Sequence, residues 1–286
     1  MNYILIHFGA IPKHLRFCVE NIKNVDNESN IILATDQMTM EGMEHVKHVN
    51  LEKIETPHLA ELSKLINNLK YFENEDNKLW EASLKRVFGL LDVAVKLDIN
   101  NFIHFDNDVL IYKSFAELEN EFSKEKINIT QLSDLFLNFS YSYFPNIKLL
   151  EDLTNEIIKI FKNVNFYEEK YYEGKRLNEM VMLNIVFQEN PKFFNILNSI
   201  PSKKNTIIFD SASFGQYLSG FHKKKKSRKK RLEEMRDTQH LGKHMYENKY
   251  RPEFIKSYPV VRFENKTIEI ANLHIHSKKL KKYLIK

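Results

Sequence analysis

The chain has 286 residues, 43% hydrophobic and 12% aromatic, with only seven Gly and seven Pro; that balance supplies a sizeable core and excludes wholesale disorder. Its single cysteine, Cys18, excludes an internal disulfide and a cysteine-rich zinc site. The formal net charge of +5 hides an asymmetry, because KKKKSRKKR from Lys223 to Arg231 carries eight basic residues and leaves the rest mildly acidic.

Tyr3 to Phe8 reads as a first buried strand, followed by a turn at Gly9 to Pro12 and a helix to Val25. Ile31 to Ala34 is a second apolar strand, Val46 to Ile54 a third, and Pro57 opens a helix toward Tyr71. Such alternation of strand and helix predicts a mainly parallel sheet flanked by helices, the α/β class. Asp36 ends the second strand at an edge that, in nucleotide-binding α/β folds, contacts base or ribose; a capping role for this Asp is the other reading. From Leu79 to Leu97 the pattern is helical, with Trp80, Leu84, Val87, Leu91 and Ala94 on one stripe and Arg86 off it.

Phe102 to Phe105 is a short apolar strand that runs into Asp106-Asn107-Asp108. Positions two apart on an extended chain point the same way, so the two carboxylates are expected to converge. Paired oxygen donors at a strand's carboxyl end suit a divalent cation with positions left open for a phosphate. A solvated turn is the plainer alternative, since Asp and Asn are common there.

Further on, Phe115 to Phe122 suggests a helix, Ile127 to Leu132 a strand, and Leu149 to Phe161 a helix, while Phe136 to Pro145 is aromatic-rich. Leu177 to Phe187 is a short apolar helix with Glu179 in its first turn, where the helix dipole favours an acid without further role. Ile207 to Asp210 is another strand ending in an acid. The basic run follows without apolar periodicity, so residues 221–237 are expected to form a mobile loop. Val260 to Phe263 and Thr267 to Ile270 suit a hairpin across residues 264–266. In Leu273-His274-Ile275-His276 the two imidazoles share one face of an expected strand, and Lys278 follows.

Arg86, Asp106-Asn107-Asp108, the segment FDSASFGQYLSG from Phe209 to Gly220, and NLHIHSK from Asn272 to Lys278 together resemble the GT-A glycosyltransferases, enzymes that use nucleotide sugars. The resemblance implies a single GT-A domain over residues 1–286, with a nucleotide-sugar-binding half at 1–112 and an acceptor half at 113–286. It also implies Asp106 and Asp108 as metal ligands, with Asp106 also at the nucleotide ribose. His274 or His276 adds a ligand, and Lys278 holds the diphosphate. Asp36 and Arg86 join Asp106 and Lys278 on the donor side. Asp210 and Gln216 fall on the acceptor and sugar side, with Asp210 or Glu179 as the base if the anomeric centre inverts. Mixed carboxylate and imidazole ligation favours Mn²⁺, with Mg²⁺ the alternative.

The implied activity is transfer of a hexose-like sugar from a nucleoside-diphosphate sugar, a UDP-sugar first, to a glycan or glycoconjugate hydroxyl. Metal-dependent nucleotidyltransfer or phosphohydrolysis also use paired carboxylates, although the first turn, Gly9-Ala10-Ile11-Pro12, lacks a glycine-rich phosphate loop. A non-enzymatic alternative is polyanion binding through residues 223–231. Nucleic acid is not the expected partner, because no aromatics interleave the run; an anionic membrane surface fits it better. With no signal peptide and no apolar stretch of membrane-spanning length, a cytoplasmic protein, peripheral at a membrane if bound to one, is expected.

Overall fold

The structure, a computed structural model, describes residues 1–37, 43, 45–73, 78–219, 228–247 and 249–285. The first half contains β1 (Asn2–His7), α1 (Lys13–Val25), β2 (Asn30–Thr35), β3 (Lys47–Asn50), α2 (Pro57–Asn68), α3 (Leu79–Lys96), β4 (Phe102–Phe105) and β5 (Val109–Ile111). Next come α4 (Phe115–Leu118), β6 (Ile127–Ser133), β7 (Phe136–Phe144), α5 (Ile147–Lys162), α6 (Val164–Tyr172), α7 (Glu179–Glu189), β8 (Phe194–Ile196) and β9 (Ile207–Ile208). The chain continues through α8 (Ser213–Ser219), α9 (Arg228–Thr238), α10 (Gly242–Tyr246), β10 (Pro252–Ile255), β11 (Tyr258–Phe263), β12 (Lys266–Ile270) and β13 (Asn272–His274).

Seven strands form the central sheet in the order β3-β2-β1-β4-β7-β6-β8. The β3, β2, β1 and β4 strands are mutually parallel, β7 runs against both neighbours, and β8 is parallel to β6. The expected α/β class with a mainly parallel sheet is therefore present. Strands of this kind are buried on both faces, which explains their continuous apolar runs. In β1, Ile4 and Ile6 face a core with α2, α3, α5 and α7, whereas Tyr3 and Leu5 face a second core with α1 and the C-terminal strands. On α3, Leu84 and Val87 are fully buried and Leu91 nearly so. Burying each contributes about 1.5–3 kcal/mol, and Leu84→Ala would cost about 2–5 kcal/mol.

Two smaller sheets cover the second core. One has the order β10-β11-β12-β9, including the expected hairpin across residues 264–266; the other pairs β13 antiparallel to β5. Asn21 of α1 locks that pair from the side, donating to the Ile111 carbonyl at 3.0 Å and accepting from the Ile111 amide at 2.7 Å. A side-chain amide thus substitutes for a strand neighbour along β5.

Several expected elements change. The third strand shrinks to Lys47–Asn50, because Leu51–Ile54 turn away. The helix expected over Phe115 to Phe122 is α4 plus a 3₁₀ turn at Glu119–Glu121. The aromatic-rich stretch is strand β7, whose aromatics alternate with small polar residues. Of the loop expected at 221–237, residues 221–227 lie outside the described residues, and the remainder is helix α9. Met235, 1% exposed, supplies the apolar anchor that the charge pattern obscured. Among the described residues no helix is long and apolar enough to cross a membrane.

Candidate metal centre

The Asp106–Val109 segment is a turn rather than a continuation of β4. Its closing bond runs from the Val109 amide to the Asp106 carbonyl at 3.0 Å. Outside the turn, the Asp106 amide donates to Ser140 on β7 and the Asp108 carbonyl accepts from Ile275. The expected convergence is present, but its cause is corrected: the chain bends between the two acids, so the turn brings them together rather than the alternation of a strand.

Ligand atoms of Asp106, Asp108 and His274 all lie within 4.8 Å of one another. His274 Nε2 stands 3.1 Å from Asp108 Oδ1 and 3.7 Å from Asp106 Oδ2. Asp108 is only 2% exposed. Burial pushes its carboxyl up, but the His274 imidazole and the Lys278 ammonium outweigh that and hold it well below the usual carboxylate range. His274 answers in kind: burial lowers its pKa, the Asp108 carboxylate raises it, and the net direction is up. Lys278 bonds Asp108 from a left-handed backbone, φ 60°. Two carboxylates and an imidazole within this span could hold a divalent metal ion.

Other sequence candidates take distinct places. Arg86 reaches the motif and pairs with Asp106. His276 lies beyond the end of β13, so the single strand face expected for both histidines is corrected; its ring nevertheless packs on His274, centroids 4.2 Å apart. Asp36 accepts the Gly9 amide with both oxygens, at 2.9 and 3.0 Å, and so ties the β1 and β2 ends together; among the described residues it caps no helix.

Glu179, the first residue of α7, is 3% exposed, and its Oε1 finds no hydrogen-bond partner among the described residues. Burial raises its pKa to about 8; Arg86 pulls it down and Asp106 pushes it up, which places it in the field of the motif. Asp210 is fully buried, with its carboxylate accepting from the amides of Phe214 and Gly215 at 2.8 Å and of His274 at 3.0 Å. Burial raises its pKa against the pull of those three donors. Gln216 is 7% exposed and accepts from Gln239 at 2.7 Å. Between Asp210 and the metal cluster runs a close approach of backbones. A Cβ on Gly215 would stand 1.9 Å from the His274 carbonyl oxygen, so glycine is required there.

Two residues beside the motif escape the sequence reading. His7 at the end of β1 and His14 in α1 both bond the side chain of Asn107, at 2.9 and 3.0 Å. Histidine at the end of a parallel strand, on the same edge as Asp36 and Asp106, was the available signal for His7. His14 had none.

Comparisons with known proteins give short or distant likenesses. A family model described as nucleolar protein 12 (25 kDa) matches residues 199–252, the stretch that holds the basic run. No curated protein matches the chain. Among solved structures, mouse xyloside xylosyltransferase 1 in its apo form is 12% identical at a TM-score of 0.45, over 69% of this chain and 86% of that one. The galactosyltransferase LgtC, in complex with donor and acceptor sugar analogs, is 11% identical at 0.42, over 72% and 76%. PaToxG glycosyltransferase is 13% identical at 0.41, over 66% and 69%. All three are glycosyltransferases by name.

Proposed function

We propose that this chain is a metal-dependent glycosyltransferase that moves a sugar from a nucleoside-diphosphate sugar, a UDP-sugar first, to a hydroxyl of a glycan or glycoconjugate. The observation that supports it most is the Asp106–Asp108–His274 group, set beyond the carboxyl ends of parallel strands and flanked by the cations Arg86 and Lys278. These three side chains would hold Mn²⁺, or Mg²⁺ in its place. A bound divalent cation supplies positive charge against the diphosphate as the anomeric bond breaks. Lys278 adds an ammonium on the same side, and Arg86 pairs with Asp106 and orients it for ribose or metal.

On the acceptor side the two candidate carboxylates differ. Asp210 spends its oxygens on three amides and acts as a positioning residue. Glu179 keeps one oxygen unpartnered among the described residues, and its raised pKa suits a group that takes the acceptor's proton if the anomeric centre inverts. Gln216 belongs with the sugar-facing side. Residues 1–112 would then form the donor half and 113–286 the acceptor half. Acceptors with negative charge fit the Lys223 to Arg231 run. Serine in place of those lysines is expected to leave donor hydrolysis unchanged and to weaken transfer to an anionic glycan.

A panel of sugar nucleotides incubated with Mn²⁺ tests the proposal. Release of free nucleoside diphosphate is expected. Release of pyrophosphate or inorganic phosphate would favour nucleotidyltransfer or phosphohydrolysis, and full turnover in EDTA would end the metal reading.

A further inference from the structure

We propose that His7 and His14 are positioning residues: as a clamp on Asn107 they set the turn that brings Asp106 and Asp108 together for a divalent cation. The inference rests on the metal reading above. Asn107 is the second residue of the four-residue turn, between the two acids, and its conformation fixes where both point. Its side-chain amide is held from two directions by two different elements. His7 Nε2 bonds the Ala10 carbonyl at 2.9 Å, which requires a proton on that nitrogen. Its Nδ1 is then a lone pair, and it accepts from Asn107 Nδ2 at 2.9 Å. On the other side His14 Nε2 donates to Asn107 Oδ1 at 3.0 Å. The His7 ring is thereby the neutral Nε2–H tautomer, and His14 carries a proton on Nε2, both assigned from the bonding pattern. With His7 in this tautomer, turning the amide over would set its carbonyl against the Nδ1 lone pair.

The clamp extends backward through the fold. Gly9, at φ 84°, directs its amide into both oxygens of Asp36, and His7 lies two residues before it at the end of β1. Bonds therefore run from the end of β2, through the end of β1, to the turn after β4. The His7 imidazole suits the task because in this tautomer it gives direction without adding a cation that would compete for Asp106 or Asp108. Groups that orient ligands in this way are worth about 10–100-fold in metal affinity.

The test is Mn²⁺ affinity measured by isothermal titration calorimetry, without donor or acceptor, on the full chain. Asn107→Ser, His7→Ala and His14→Ala are each expected to weaken Mn²⁺ binding by about tenfold or more. His7→Gln and His14→Gln keep an amide able to make the same bonds and are expected to recover affinity to within about threefold of wild type. Rescue by glutamine separates positioning from general packing, and circular dichroism confirms the fold of each variant. If an alanine variant does not fold, Asn107→Ser at the turn decides. Affinities in Asn107→Ser and both alanine variants within about twofold of wild type would overturn the clamp alone. Wild-type protein that binds neither Mn²⁺ nor Mg²⁺ would overturn the metal reading and the clamp with it.

Discussion

Asp108 and Asp210 are both shut away from solvent, at 2% and 0% exposure, yet their surroundings differ in kind. Asp210 is met by three backbone amides from α8 and β13. These donors are fixed by the fold, and the carboxylate works as a staple between two segments. Asp108 is met by an imidazole and an ammonium, side chains able to move aside for a cation or turn to a substrate. Burial therefore does not separate an active acid from a structural one. The nature of the partners does, because only exchangeable partners leave a carboxylate free to do chemistry.

The sharpest way to break this contrast is to neutralise each acid in turn. Asp108→Asn is expected to lower sugar-transfer turnover by about a hundredfold or more while the protein stays folded. The loss should come with loss of Mn²⁺ dependence in donor binding. Asp210→Ala should do the reverse. It strands three buried amides at about 1–3 kcal/mol each, so urea denaturation should show several kcal/mol lost. An Asp210→Ala protein of wild-type stability would erase the distinction.

Glu179 stands between the two cases, buried but with an oxygen unpartnered among the described residues, and its pH behaviour sharpens the comparison. Its folded pKa of about 8 lies above the unfolded 4.5. The folded chain therefore keeps a proton that the unfolded chain has already lost, and stability falls as pH rises from 4.5 toward 8. Glu179→Gln removes this penalty. At pH 8 the variant should be more stable than wild type by on the order of a few kcal/mol, with little difference at pH 4.5. Denaturant titrations at the two pH values check it. Equal stabilities at pH 8 would mean that the carboxyl ionises freely.

The smallest expected effect concerns the movable partner of Asp108. Lys278→Ala should weaken nucleoside-diphosphate binding by about 1–3 kcal/mol, the range for losing a charge-assisted contact. Competition binding with UDP reads it. An unchanged affinity would leave Lys278 as a counter-ion of Asp108 only.

Local chemistry made part of this architecture legible. The β1, β2 and β4 strands are apolar runs, and such runs announce themselves. By contrast, the β7 sequence marks itself only as aromatic-rich, because Ser140 and Ser142 interrupt FLNFSYSYF although both are buried in the sheet. The reversal of β7 among parallel neighbours is a long-range fact with no local mark. The same divide runs through the site. Asp106, Asp108, His274 and Lys278 could be named from motif and order, and the structure gathers them. The Asn107 contacts with His7 and His14 join positions about a hundred residues apart, and no spacing rule reports them. Asp210 was visible as an acid at a strand end, but the amides it serves were not.

The pairing of β13 with β5 has a consequence for the making of the protein. Lys278 lies 170 positions after Asp108, so on a ribosome the two acids of the turn emerge long before the residues that neutralise them. During that interval Asp108 must remain hydrated or protonated, and the second face of the central sheet lacks its C-terminal cover. Assembly of the centre is thus a late event set by chain order. Long-range closure of this kind is slow. In refolding experiments Mn²⁺ binding should appear after most of the far-ultraviolet signal has recovered, and simultaneous recovery would show that the turn at Asp108 and the segment at Lys278 meet early.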